Sequence, residues 1–116
     1  MRAIPVAVVA VPLLLLSAHA QTIAATEASQ HVGERVTVCG RVAGRYTAST
    51  SPGTPTFVNL EKPRSSPLTL LIWRDDRSRV GRVPESGPVC ATGLITAYRG
   101  TPEIVLHDAR SWYVPK

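Results

Sequence analysis

The residues able to do chemistry in this chain are few. Two cysteines, Cys39 and Cys90, offer thiol chemistry, metal ligation or a bridge. A reactive thiol needs a neighbouring His or a helix N-terminus to favour its thiolate, and neither cysteine has one nearby in sequence. Zinc ligation favours C-x-x-C spacing, which is absent, and beyond residue 20 only His31 and His107 remain as partners. Hydrolysis is no better served: no G-x-S-x-G segment occurs, and the adjacent carboxylates Asp75 and Asp76 suit a helix cap better than a divalent ion. An enzyme is therefore not expected, a metal-dependent nuclease being the least remote exception. No metal and no cofactor is expected either.

A second set of residues suits recognition. Tyr46, Phe57, Trp73 and Tyr98 offer flat faces on which a base can stack. Arg45, Arg74 and Arg99 beside them offer planar forks that fit phosphate. Asn59 lies two residues from Phe57 and so shares its side of any strand. Arg45, Tyr46, Phe57, Asn59, Trp73, Arg74, Tyr98 and Arg99 form the candidate interface for single-stranded nucleic acid (DNA or RNA) or another anionic polymer. Charge agrees in sign, since 13 Lys plus Arg against 8 Asp plus Glu give +5. Arg77, Arg79 and Arg82 are a different matter. They are interleaved with Asp75, Asp76 and Glu85, the pattern of a solvated, salt-bridged surface.

The opening MRAIPVAVVAVPLLLLSAHAQ orders a basic start at Arg2, an apolar run from Ala3 to Leu16 and the Ala18-His19-Ala20 tripeptide. That order is the pattern of a secretory signal peptide cut after Ala20. A membrane anchor needs about 20 apolar residues, and this run is shorter and carries Pro5 and Pro12. Residues 1–20 are read as signal peptide and residues 21–116 as a single domain with no membrane span, periplasmic or secreted. An oxidising compartment then makes a Cys39–Cys90 disulfide the favoured chemistry, closing a loop of about 50 residues.

These residues need strands to position them, and the patterning supplies five. A short helical patch is expected within 21–33, capped by Thr26 and ended by Gly33. Val36, Val38 and Val42 then alternate with Thr37, Cys39 and Arg41, the period-two signature of a half-buried strand over 36–46. After a Ser-, Thr-, Pro- and Gly-rich loop at 47–55, TFVNLE at 56–61 places Val58 and Leu60 on one side and Phe57 and Asn59 on the other. LTLLIWR at 68–74 is a third strand, followed by a single helical turn capped by Asp75 or Asp76. PVCATGLITAYR at 88–99, with a bend at Gly93, and EIVLHD at 103–108 complete the set.

Five short strands with the one internal helix between the third and fourth is the layout of an OB-fold, an all-β, five-stranded Greek-key barrel. An immunoglobulin-like sandwich wants about seven strands. Parity agrees with the barrel. In its topology the first and fourth strands are antiparallel neighbours, and inward-facing Val36, Val38, Val89 and Ala91 put Cys39 and Cys90 together on the outward face.

The segments EASQHVGERVTVCGRV, PTFVNLE, LTLLIW and VCATGLITAYRGTPEIVL resemble the secreted bacterial OB-fold domains described as nucleic-acid-binding, which are similar to the anticodon-binding OB domains of tRNA synthetases. The resemblance covers residues 25–108, and HVGERVTVCGRV and YRGTPEIVL match best. It implies the five-stranded barrel and nucleic-acid binding. In the anticodon-binding relatives a Phe on the second strand stacks on a base, and Phe57 stands at that place here. The chain departs from the pattern in having no dense Lys or Arg cluster. OB barrels also bind oligosaccharides and proteins, so an envelope protein or an oligosaccharide is the alternative partner.

Overall fold

The computed structural model describes residues 3–5 and 21–116. Residues 3–5 are irregular and exposed, and the rest of the expected signal segment lies outside the described residues.

Alternating apolar and polar residues carry the chain through short strands. β1 (Thr22–Ala24) leads through a 3-10 turn (Ala25–Gln30) into β2 (Arg35–Thr47). β3 (Thr56–Leu60) and β4 (Leu68–Ile72) follow. A 3-10 turn (Arg74–Asp76) and the one-turn helix α1 (Arg77–Val80) then lead to β5 (Gly87–Leu94). β6 (Thr96–Tyr98), β7 (Thr101–Val105), a last 3-10 turn (Ala109–Ser111) and β8 (Trp112–Tyr113) complete the described chain.

The strands form one sheet in the order β6-β7-β4-β3-β2-β5-β8, with β1 parallel to β2 at its side. The β2–β3, β3–β4 and β2–β5 pairs are antiparallel, whereas β4 and β7 run parallel. Val58, Leu60, Leu68, Leu70 and Ile104 on one side, and Val36, Val38, Val89 and Ala91 on the other, enter a single core. A sheet that buries one face in its own interior is a curled sheet, and the fold is all-β and barrel-like. Burying each Leu, Ile or Val contributes roughly 1.5–3 kcal/mol, so this inner face supplies most of the stability. Val80 of α1 joins the core, and Trp112 Nε1 donates to the Val80 carbonyl at 2.8 Å, tying the C-terminal segment across the barrel end.

Several elements differ from the sequence reading. Among the described residues eight strands are present where five were expected, because β1, β6 and β8 are two or three residues long and too short for alternation to reveal. The sheet path is open: no ladder joins β5 to β7 among the described residues. Gly93 makes no bulge: the β2–β5 register runs unbroken through it to Leu94. A Cβ on Gly93 would come within 2.7 Å of Ile104 Cγ2, so glycine here serves the close approach of β5 to β7. Thr26 does not cap the first turn, where Ala24 holds the capping position without a side-chain bond. Asp76 likewise precedes α1 without a capping bond, because its carboxylate engages Arg79 and His107 instead.

The cysteine pairing agrees with the expectation. Cys39 and Cys90 face each other in the β2–β5 register with Cα atoms 4.1 Å apart, and their sulfurs are bonded. Cys90 is covered because β8 pairs alongside it, Tyr113 opposite Cys90 and Trp112 opposite Ala91. Among the described residues no helix is long and apolar enough to cross a membrane.

Candidate functional site

A single irregularity in β2 decides which side chains reach the outer face. Val42 stands opposite Leu60, yet Gly44 stands opposite Asn59, leaving Ala43 as an extra residue. Such a β-bulge reverses the alternation beyond it. Before the bulge the even-numbered valines point into the core; after it, Arg45 opposes the buried Val58 and Tyr46 opposes Phe57. Arg45 thus turns inward, and its Nη1 donates to the Val83 carbonyl at 2.6 Å. It lies on the other side of the sheet from Tyr46, not beside it on one rim.

Tyr46 and Phe57 are stacked, with ring centroids 6.3 Å apart and planes 11° from parallel. Leu71 opposes Phe57 across β3–β4, and Val105 opposes Leu71 across β4–β7. One outward row therefore crosses four strands as Tyr46, Phe57, Leu71 and Val105. It is aromatic and exposed at one end, aliphatic and sheltered at the other. Val105 also forms part of the wall of a groove of about 590 Å³ where β5 and β7 meet, with Arg35, His107 and Arg110 on its other sides.

The adjoining outward row is polar and runs Gly44, Asn59, Thr69, Glu103, Thr96. Asn59 shares Phe57's face as its parity requires, but its amide is engaged. Its Oδ1 accepts from Thr69 Oγ1 at 3.0 Å and its Nδ2 donates to the Pro63 carbonyl at 2.8 Å. Ser66 and Thr69 close the network with a hydroxyl bond of 2.9 Å. Asn59 thus holds the β3–β4 turn, leaving one N–H for any other partner. Glu103 is buried on this face, and that burial raises its carboxyl pKa above 4.5.

Trp73 continues the outward parity of Leu71 just beyond β4 and is 39% exposed. Gly53 of the 48–55 loop packs so closely on its six-membered ring that a Cβ there would lie 2.8 Å from Cε3. The loop is also anchored by the Arg74 amide, which donates to the Gly53 carbonyl at 3.1 Å. Trp73 is therefore partly occupied by its own chain. The Arg74 side chain is exposed, with Asp75 at 3.6 Å.

Tyr98 and Arg99 sit at the β6–β7 hairpin, where Arg99 and Gly100 both take positive φ, 49° and 81°, as a two-residue hairpin turn of the I′ kind requires. The Arg99 guanidinium lies over the Tyr98 ring, 5.4 Å from its centroid. Register places this pair well away from Phe57. Three strand spacings separate β3 from β6, about 14 Å across the sheet, and four residues along β7 add about 13 Å. Apart from the inward-turned Arg45, the candidate residues thus fall into three places: a stacked pair on the barrel face, a loop-covered indole beside it, and a hairpin tip at the far edge. Leu71, Val105 and Glu103 complete the face and were missed by sequence reading. The β3–β4 register places Leu71, and the parallel β4–β7 register, which no local pattern encodes, places Val105 and Glu103.

Among the described residues no group of three or more His, Cys, Asp or Glu side chains is arranged to hold a metal ion. No protein-family model and no curated protein matches the chain. Among solved structures, 32 chains match. One, described as "a putative aspartyl-tRNA synthetase from Leishmania major Friedlin", is similar over 82% of this chain with a TM-score of 0.55 and 13% sequence identity. The similarity takes in only 20% of that chain and is a likeness of fold.

Proposed function

We propose that this chain is an exported, non-enzymatic OB-fold module that binds single-stranded nucleic acid on the outer face of β3 and β4, with Tyr46 of β2 at its edge. The path β7-β4-β3-β2-β5, with its parallel β4–β7 pair and α1 between β4 and β5, supports the OB layout. The fold likeness to a chain named as a tRNA synthetase is in keeping with a nucleic-acid ligand. The apolar leader in the sequence and the Cys39–Cys90 bridge support export.

The observation that carries the reading is the stacked Tyr46–Phe57 pair on an outward barrel face. Apolar faces of bases gain by covering such rings, and each stacked base contributes roughly 1–3 kcal/mol without demanding a particular sequence. The exposed Arg74 supplies a phosphate contact beside it, so binding is modest and weakens with salt.

The test is fluorescence anisotropy of labelled dT15 and rU15 oligonucleotides at low salt. Wild-type protein binds, and affinity falls as salt rises. Tyr46→Ala, at a position 62% exposed and so harmless to the core, weakens binding by at least about fivefold, the low end of a lost stacking contact. Absence of binding by wild-type protein at low salt overturns the proposal.

A further inference from the structure

The bulge that frees Tyr46 also sends Arg45 to the barrel end, into a cavity of about 320 Å³ shared with Arg77 and Arg82 and floored by Thr56 and Ile72. Arg45 and Arg77 are half-buried there. Each is held by a backbone carbonyl alone: Arg45 by that of Val83, Arg77 through Nη2 by that of Thr54. Neither is paired with a carboxylate among the described residues. Of the nearby acids, Asp76 is paired with Arg79 and His107, and Glu85 with Arg82 at the exposed rim of the cavity. Arg77 Nε is buried and has no hydrogen-bond partner among the described residues.

Two like charges half out of water in one cavity repel each other. Lysines in that position would lose a proton; guanidinium groups cannot. The repulsion between the two guanidinium groups is relieved by a compact anion with several acceptor oxygens. Planar guanidinium forks fit the oxygens of phosphate better than a spherical halide, and Ser78 lines the same cavity.

We propose that this cavity is a phosphate site, taking inorganic phosphate or the phosphate group of an ester. It opens on the inner side of the positions adjoining Tyr46, Phe57 and Trp73, so a nucleic-acid phosphate and a free phosphate are both possible sources. The site itself does not depend on the aromatic face.

The experiment titrates inorganic phosphate into the protein at constant ionic strength against chloride, read by amide shifts of Ser78 and Gly81 and by thermal stabilisation. Phosphate produces saturable shifts there and raises the melting temperature more than chloride. Arg45→Gln and Arg77→Gln each weaken phosphate by about tenfold, as expected for loss of a charged hydrogen bond. Arg82→Gln, at an exposed position that leaves packing intact, weakens it by about twofold. Tyr46→Ala leaves phosphate affinity unchanged, which separates this site from the stacking face.

Unphosphorylated dT15 that competes with phosphate for the Ser78 and Gly81 shifts identifies strand diesters as the source. Competition only by 5′-phosphorylated dT15 identifies a terminal monoester. Equal responses to phosphate and chloride, or a phosphate response that survives all three arginine substitutions, overturn the proposal even if dT15 still binds at Tyr46.

Discussion

Tyr46 and Tyr98 are equally exposed, each at 62%, yet they stand in different physical circumstances. Tyr46 belongs to the 13-residue strand β2, paired at that point with β3, and its ring stacks on Phe57, which is flanked in turn by buried Leu71. Tyr98 belongs to a three-residue strand at the sheet edge, paired on one side only, and its ring is covered by Arg99 from its own turn. Exposure alone does not distinguish a platform from a tip. A ring held by a rigid neighbour keeps its orientation before the ligand arrives, so less freedom is lost on binding. The barrel face offers a stacked aromatic pair; the hairpin offers a charge over a single ring.

The largest test of this contrast is the disulfide, because it fastens β2 and does not touch β6. Replacing Cys39 and Cys90 by Ala lowers stability by about 4 kcal/mol under the loop-entropy model for this separation, measured as a shift of the urea midpoint. Native-state hydrogen exchange adds the regional reading. Amides of β2 and β3 lose protection with the global change, while those of β6, which exchange by local fraying, change little. Equal losses in both regions would show that the hairpin is as firmly held as the platform.

Ligand binding separates the two tyrosines next. Phe57→Ala removes the ring beneath Tyr46 and lowers dT15 affinity by roughly 5- to 150-fold, the span of 1–3 kcal/mol per stacked base. Tyr98→Ala lowers it by no more than about fivefold, since an exposed cation–π pair is worth roughly 0.5–1 kcal/mol. Reversal of that order would move the binding surface to the hairpin. Far-UV circular dichroism of Phe57→Ala checks that loss of affinity is not loss of fold.

The two regions also differ in how far the sequence reveals them. The parity of TFVNL separates Phe57 and Asn59 from Val58 and Leu60, and the structure keeps that separation. Cys39 and Cys90 meet because alternation in two strands is a local property and the register follows from it. The bulge at Ala43 is not legible in this way. One unpaired residue exchanges Arg45 and Tyr46 between inside and outside, and nothing in VTVCGRVAGRYT announces it. The engagement of Asn59 is equally hidden, since its partners Pro63 and Thr69 lie across a turn whose path residue types alone do not set.

A smaller effect is expected from the hairpin itself. Gly100 holds φ at 81°, and Gly100→Ala costs about 1 kcal/mol because an L side chain is strained there. The loss appears as a lower urea midpoint, and the amide shifts that change are confined to β6 and β7. The amides of Tyr46 and Phe57 stay in place. Shifts that spread to Phe57 would mean that edge and centre move as one body.

Glu103 lies between the two regions, on β7 with Thr69 on one side and Thr96 on the other. Burial raises its carboxyl pKa above 4.5. Between the unfolded and native values the folded chain holds a proton that the unfolded chain has released, so stability falls as pH rises through that window. Glu103→Gln removes that penalty: it raises the melting temperature at pH 7 and brings little change at pH 4. The same substitution tests the route of a bound strand. A strand that runs from Phe57 toward Tyr98 brings its phosphates over β7, where the carboxylate repels them, so Glu103→Gln strengthens dT15 binding modestly at pH 7. Unchanged affinity would send the strand the other way, past Trp73 and Arg74, and would make the hairpin tyrosine a surface of its own.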